Sequence, residues 1–223
     1  MLIPLSRPDV TEWEIERVVK VLRSPHLSLG PTLRQFEHAF ATYMGRRHAV
    51  AVNRGTSGRW LAHEQLGYNF RLSDIDCALG LAQLSRIDEI KARRRRVAAW
   101  YQEMLAAEDR LIVPQDAPGR EISWFVFVVQ LTEPCGVPQR DRILQEMERR
   151  GIQVGNCFPS VHLRPFLAAE HGYAPGDFPI AESVSRRTIA LPLHNRLTQD
   201  EVATARGALR VVLDAILWQA CPI

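Results

Sequence analysis

Lysine is nearly absent from this chain. Of its 28 basic residues only Lys20 and Lys91 are lysines. Chemistry that needs a primary amine, Schiff-base formation above all, therefore has two candidate side chains. The excess of arginine reads most simply as a genome-wide codon bias. Cysteine is scarce too: Cys77, Cys135, Cys157 and Cys221 lie far apart with no C-x-x-C pair. That pattern suits free thiols in a reducing cytoplasm and speaks against a disulfide framework or a zinc site. The seven histidines show no metal-ligand spacing, so no metal site is expected. No apolar run is long enough to cross a bilayer. The opening Met1–Leu5 is too short, and too interrupted by Pro4, for a signal peptide. A net charge of +3 is too small to point to nucleic acid or a membrane surface.

What is present reads as mixed helix and strand. Thr11 and Glu14 have capping-box spacing, and Ile15, Val18, Val19 and Leu22 follow as a helical stripe closed by Pro25. Thr32 and Gln35 repeat the start signal before Leu33, Phe36, Phe40 and Tyr43, with Gly45 at the helix end. The apolar run His48–Val52 predicts a strand buried on both faces, although no partner strand lies nearby in sequence. Ser73 predicts an N-cap, and Ser85 and Asp88 start another helix running to about Ala107. The run Arg93–Arg96 within it points all round the helix axis, so it reads as a solvated face rather than a nucleic-acid stripe.

From Ile122 the pattern changes. Ile122–Leu131 is rich in aromatic and β-branched residues and predicts a strand. A helix over Arg140–Arg150 closed by Gly151, a short strand Ile152–Val154, and helices over Leu163–His171 and Ile180–Arg187 follow. Thr188–Leu193 predicts a strand with Pro192 at an edge or end. Thr198 and Glu201 open a final helix to about Trp218. The fold class is α+β, with a small antiparallel sheet covered by helices. Val113–Gly119, with two prolines and a glycine, is the best boundary.

Two stretches carry candidate chemistry. Asn53-Arg54-Gly55-Thr56-Ser57-Gly58 follows the expected strand, and such small residues let backbone amides approach an anion. Taken alone, a cluster of this kind is more often just a turn. Gly67-Tyr68-Asn69-Phe70-Arg71-Leu72-Ser73-Asp74 reads as a loop entering a helix, with Asn69 and Arg71 as polar caps.

Both stretches resemble blocks of the DegT/DnrJ/StrS family of pyridoxal-phosphate-dependent nucleotide-sugar aminotransferases. So do Ile3-Pro4-Leu5-Ser6-Arg7-Pro8, Ser28-Leu29-Gly30-Pro31, Phe158-Pro159-Ser160-Val161-His162-Leu163 and Ala190-Leu191-Pro192-Leu193-His194. In that family the first two blocks are separated by most of a large α/β domain; here only Arg59–Leu66 lies between them. The resemblance thus implies a remnant of a fold-type-I aminotransferase, cut between about Gly58 and Trp60. What remains is mainly the small C-terminal domain plus an N-terminal helix-helix-strand segment. Three parts are expected: residues 1–58 with the phosphate turn, 59–112 with the interface loop and linking helices, and 113–223 as the small α+β domain.

The resemblance also supplies roles. Gly55, Thr56 and Ser57 match the turn that holds the cofactor phosphate. Asn69 matches the asparagine that reaches the partner subunit's cofactor, which implies a homodimer or higher oligomer. Arg71 matches a basic residue of that loop, for substrate phosphate or for bracing, with bracing favoured. His162 lies where the small domain closes over a nucleotide sugar and is a candidate donor to it; a loop histidine bonded to backbone is as good a reading. The Schiff-base lysine, the acid facing the pyridine nitrogen and the aromatic over the ring belong to the missing stretch. Neither Lys20 nor Lys91 matches a cofactor-facing position, so no covalent pyridoxal phosphate, no catalytic residue and no transaminase activity are expected. The alternative is a non-catalytic interaction protein that pairs with itself or a full-length relative. An unpartnered apolar strand at 48–52 also predicts association or poor solubility.

Overall fold

Glu14 does what its spacing from Thr11 predicts. Its carboxylate reaches back to accept from the Thr11 amide at 2.7 Å and from the Thr11 hydroxyl. In the computed structural model, which describes residues 2–53 and 72–217, this contact opens α1 (Glu12–Leu22). The described residues pack as two compact units: Val10–Glu89, and Met1–Asp9 together with Ile90–Ile223.

The first of these is helical. α2 (Pro31–Tyr43) starts with proline in its first turn, where a missing N–H costs nothing. α3 (Asp74–Ser85) has Ser73 as N-cap, its hydroxyl accepting from the Asp76 amide at 3.1 Å. Buried Asp74 joins α3 to α2: its carboxylate accepts from the amides of Gly30 at 2.6 Å and Leu33 at 2.8 Å. Gly30 is there because a Cβ would lie 2.7 Å from the Asp74 carboxylate oxygen. Glu14, with no exposed surface, joins α1 to α3 by accepting from Gln83 and Arg86, each at 2.7 Å.

The expected strand at 48–52 does not form. Residues 48–51 have no regular structure, Val52 makes only an isolated bridge, and Val50 is 81% exposed. The physical reason is the missing neighbour: a strand exists through its ladder. Among the described residues nothing pairs with residues 48–51, and the Ala51 amide instead donates to the Glu37 carboxylate at 2.9 Å.

The second unit is α+β. Its elements are α4 (Ile87–Leu105), β1 (Leu111–Ile112), β2 (Phe127–Leu131), α5 (Val137–Arg149), a 3-10 turn (Val161–Leu163), α6 (Pro165–His171), α7 (Pro179–Arg187), β3 (Thr188–Leu191) and α8 (Gln199–Leu217). The sheet is antiparallel in the order β1-β2-β3, with Phe127 opposite Leu191 and Val129 opposite Ile189. Phe127, Val129 and Leu131 alternate inward and are fully buried. Val97, Ala98, Tyr101 and Leu105 of α4, Ile143 and Met147 of α5, and Val202, Leu209 and Leu213 of α8 join the same core.

Several boundaries move. The strand expected from Ile122 begins only at Phe127, because Trp124 turns into the core and stacks on Phe127 at 5.5 Å. Ile152–Val154 makes no strand; Ile152 forms one parallel bridge to Ile3. The strand expected to Leu193 ends at Leu191, before Pro192. β1 is not legible in the sequence, since two residues carry no alternation to read. Arg94 leaves the solvated face assigned to it: it donates to Asn195 at 3.1 Å and to the Phe125 carbonyl at 3.1 Å.

Candidate functional site

Gly55, Thr56, Ser57, Asn69 and Arg71 lie outside the described residues, and with them the expected phosphate turn and interface loop. His162 is described. It sits in the 3-10 turn of the excursion between Gly155, which makes an isolated bridge to Ala190, and the start of β3 at Thr188. Its Nε2 faces Glu182 Oε1 at 3.1 Å, with the two side chains 10% and 6% exposed. The same carboxylate oxygen accepts from the amides of Gly176 at 2.8 Å and Phe178 at 3.4 Å. The His162 ring lies 4.7 Å from the Phe178 ring, and Tyr173 packs edge-on to both.

These contacts define a small polar knot under an aromatic cover. The Gly176 amide is the main cause that holds the Glu182 carboxyl below its usual range, with His162 and the Phe178 amide adding to it. An ionised Glu182 accepts only, so the Nε2 of His162 carries the proton and donates to it. Nδ1 is then the nitrogen left for another partner. The histidine is therefore bonded to a carboxylate rather than to backbone. Glu182 was missed in the sequence because its partner is 20 residues away and no local motif links them. The one usable signal was its place in the first turn of a helix opened by Pro179.

Both lysines are described, and neither is buried. Lys20 is exposed on α1 and Lys91 on α4. Lys91 lines a shallow cleft of about 160 Å³ with Arg95, Glu121, Ile122, Ser123 and Trp124. Arg95 and Glu121 there form an ion pair with each other, their side chains 51% and 67% exposed. Lys20 and Lys91 are the only lysines in the chain. Among the described residues no cluster of histidine, cysteine and carboxylates could hold a metal ion. No helix among them is long and apolar enough to cross a membrane.

The model of the DegT/DnrJ/EryC1/StrS aminotransferase family matches residues 8–62 and again residues 58–210. The chain belongs to this family. The family is one of sugar aminotransferases dependent on pyridoxal phosphate, with members in amino-sugar and polysaccharide biosynthesis. The spore coat polysaccharide biosynthesis protein SpsC of Bacillus subtilis is 32% identical over 167 residues, which are 74% of this chain and 43% of that protein. The GDP-perosamine synthase of Caulobacter vibrioides is 35% identical over 150 residues, 66% of this chain and 39% of that protein. The matches span about two fifths of each relative's length. The chain also has the fold of Helicobacter pylori PseC, an aminotransferase of pseudoaminic acid biosynthesis. There the TM-score is 0.84 at 13% identity, over 96% of this chain and 100% of that one.

Proposed function

We propose that this chain is a shortened nucleotide-sugar aminotransferase that does not transaminate by itself. The observation that carries the reading is the exposed setting of Lys20 and Lys91, the only amines the side chains supply. Transamination needs an amine that can leave and re-form a Schiff base in a water-poor site. The separate family matches to residues 8–62 and 58–210 support an internal deletion near Gly58, as does the two-fifths coverage of the relatives. The complete form would pass an amino group to a keto group on a nucleotide-linked sugar, as the name of the Caulobacter relative implies for that protein. In this reading Gly55, Thr56, Ser57 and Asn69 keep the phosphate-binding part of the old site, and Arg71 braces the loop.

The test is incubation with pyridoxal phosphate and glutamate. No aldimine absorbance and no conversion of a nucleotide keto sugar is the expected result. An absorbance band that disappears in Lys20→Ala or Lys91→Ala would overturn the proposal.

A second reading, a non-catalytic partner for itself or for a full-length relative, draws on the excursion between β2 and β3. Phe158 is 63% exposed there, Val161 66%, Phe166 72% and Ile180 81%, apolar side chains that a partner would cover. Size exclusion of the chain alone, and mixed with a full-length relative, tests it: an earlier-eluting species supports it and a monomer in both samples opposes it.

A further inference from the structure

Between β3 and α8 the chain turns through His194, Asn195 and Arg196. His194 is 2% exposed, and neither of its ring nitrogens has a hydrogen-bond partner among the described residues. This turn is also where the first residues of the chain are tied down. The Leu193 amide donates to the Leu5 carbonyl at 3.1 Å. Asn195 donates to Asp9 at 2.9 Å, and Arg196 pairs with Asp9 at 3.5 Å. Arg94 donates to Asn195 from α4. Further along, the Ile3 amide donates to the Gly151 carbonyl at 2.8 Å, and the Gln153 amide to the Ile3 carbonyl at 2.9 Å.

We propose that His194 is a proton-sensitive latch that holds residues 2–9 against the turn after β3 and releases them on acidification. A neutral imidazole carries one N–H and one lone pair; the cation carries two N–H groups. Among the described residues no acceptor meets either nitrogen. The charges that face the ring are Arg7 of the N-terminal segment, Arg94 of α4 and Arg196 of the turn, against one carboxylate, Glu201 of α8. Asp9, the carboxylate that the N-terminal segment brings to the turn, pairs with Asn195 and Arg196. A proton on His194 thus adds a fourth cation to three, inside a site that cannot solvate it.

Burial first, and then the three arginines, keep the imidazole below its ordinary value, with Glu201 opposing them. The unfolded or released ring titrates near its usual value of about 6.5. The stability given by the neutral ring is therefore complete above about pH 6.5. It is lost as the pH falls below that value, by up to about tenfold in the opening equilibrium per pH unit.

Hydrogen exchange read by NMR tests this. In the wild-type chain, protection of the Ile3, Gln153 and Leu193 amides is expected to fall about fivefold between pH 6.5 and 5.5 relative to the β2–β3 ladder. In His194→Gln and His194→Phe that selective fall should vanish. Constant relative protection in the wild type, or the same fall in the variants, overturns the proposal. Should neither variant fold, the wild-type His194 ring resonance decides. A ring that stays neutral until residues 2–9 lose protection supports the latch, and one that titrates while they remain protected overturns it.

Discussion

Buried polar groups in this chain are held by different means, and each makes its own prediction. Burial alone would push the Glu14 carboxyl up. The hydroxyl and amide of Thr11 and the Arg86 guanidinium outweigh that and bring it down to about 2. Because the folded value lies below the unfolded one, Glu14 stabilises the fold at neutral pH, by at most about 3 kcal/mol. That contribution is present above about pH 4.5 and disappears as the pH falls toward 2. Urea unfolding of the wild type and Glu14→Gln should differ by that order at pH 7, and the gap should shrink by about half at pH 3 and close only below about pH 2. Tyr101 is the opposite case. Its ring stacks on Phe127 at 4.9 Å, but its hydroxyl is buried with no partner among the described residues. Burial raises its pKa, with the charge of Glu201 adding to the effect. Tyr101→Phe removes the unsatisfied group and keeps the stack, so a melting temperature equal to or above that of the wild type is expected. A loss of more than about 1 kcal/mol would show that the hydroxyl has a partner.

At the scale of elements, helix starts were legible to the residue, whereas for strands β2 and β3 were placed and their extents were not. Thr11, Ser73 and Thr198 announced three helix starts because a cap acts within three residues of itself: Thr198 accepts from the Glu201 amide at 3.2 Å as Ser73 does from Asp76. A strand depends on a neighbour far away in the chain. The β propensity of residues 48–52 produced no ladder without one, and Trp124 left the strand to fill the core. The candidate site divides the same way. His162 was visible in its motif, whereas Glu182, Gly176 and Phe178 meet it only through the tertiary turn. The Asp74 clamp between α2 and α3 gives a prediction at this scale. In Gly30→Ala the new methyl would press on the carboxylate that holds two amides, so unfolding free energy should drop by about 1–3 kcal/mol. An unchanged denaturant midpoint would mean that the α2–α3 junction relaxes freely.

For the whole molecule, the sheet-and-helix unit carries the larger apolar core. Leu209 of α8 has no exposed surface within it, and Leu209→Ala should lose about 2–5 kcal/mol in equilibrium unfolding. The family assignment rests on matches along nearly the whole chain, yet a family supplies a scaffold and a site supplies an activity. Here the scaffold is retained while its only two lysines stand in solvent. The most direct measurement is borohydride reduction of the chain after incubation with pyridoxal phosphate, followed by peptide mass analysis. No stoichiometric, site-selective adduct on Lys20 or Lys91 is the result expected; one full equivalent fixed to either lysine at micromolar coenzyme would contradict the account.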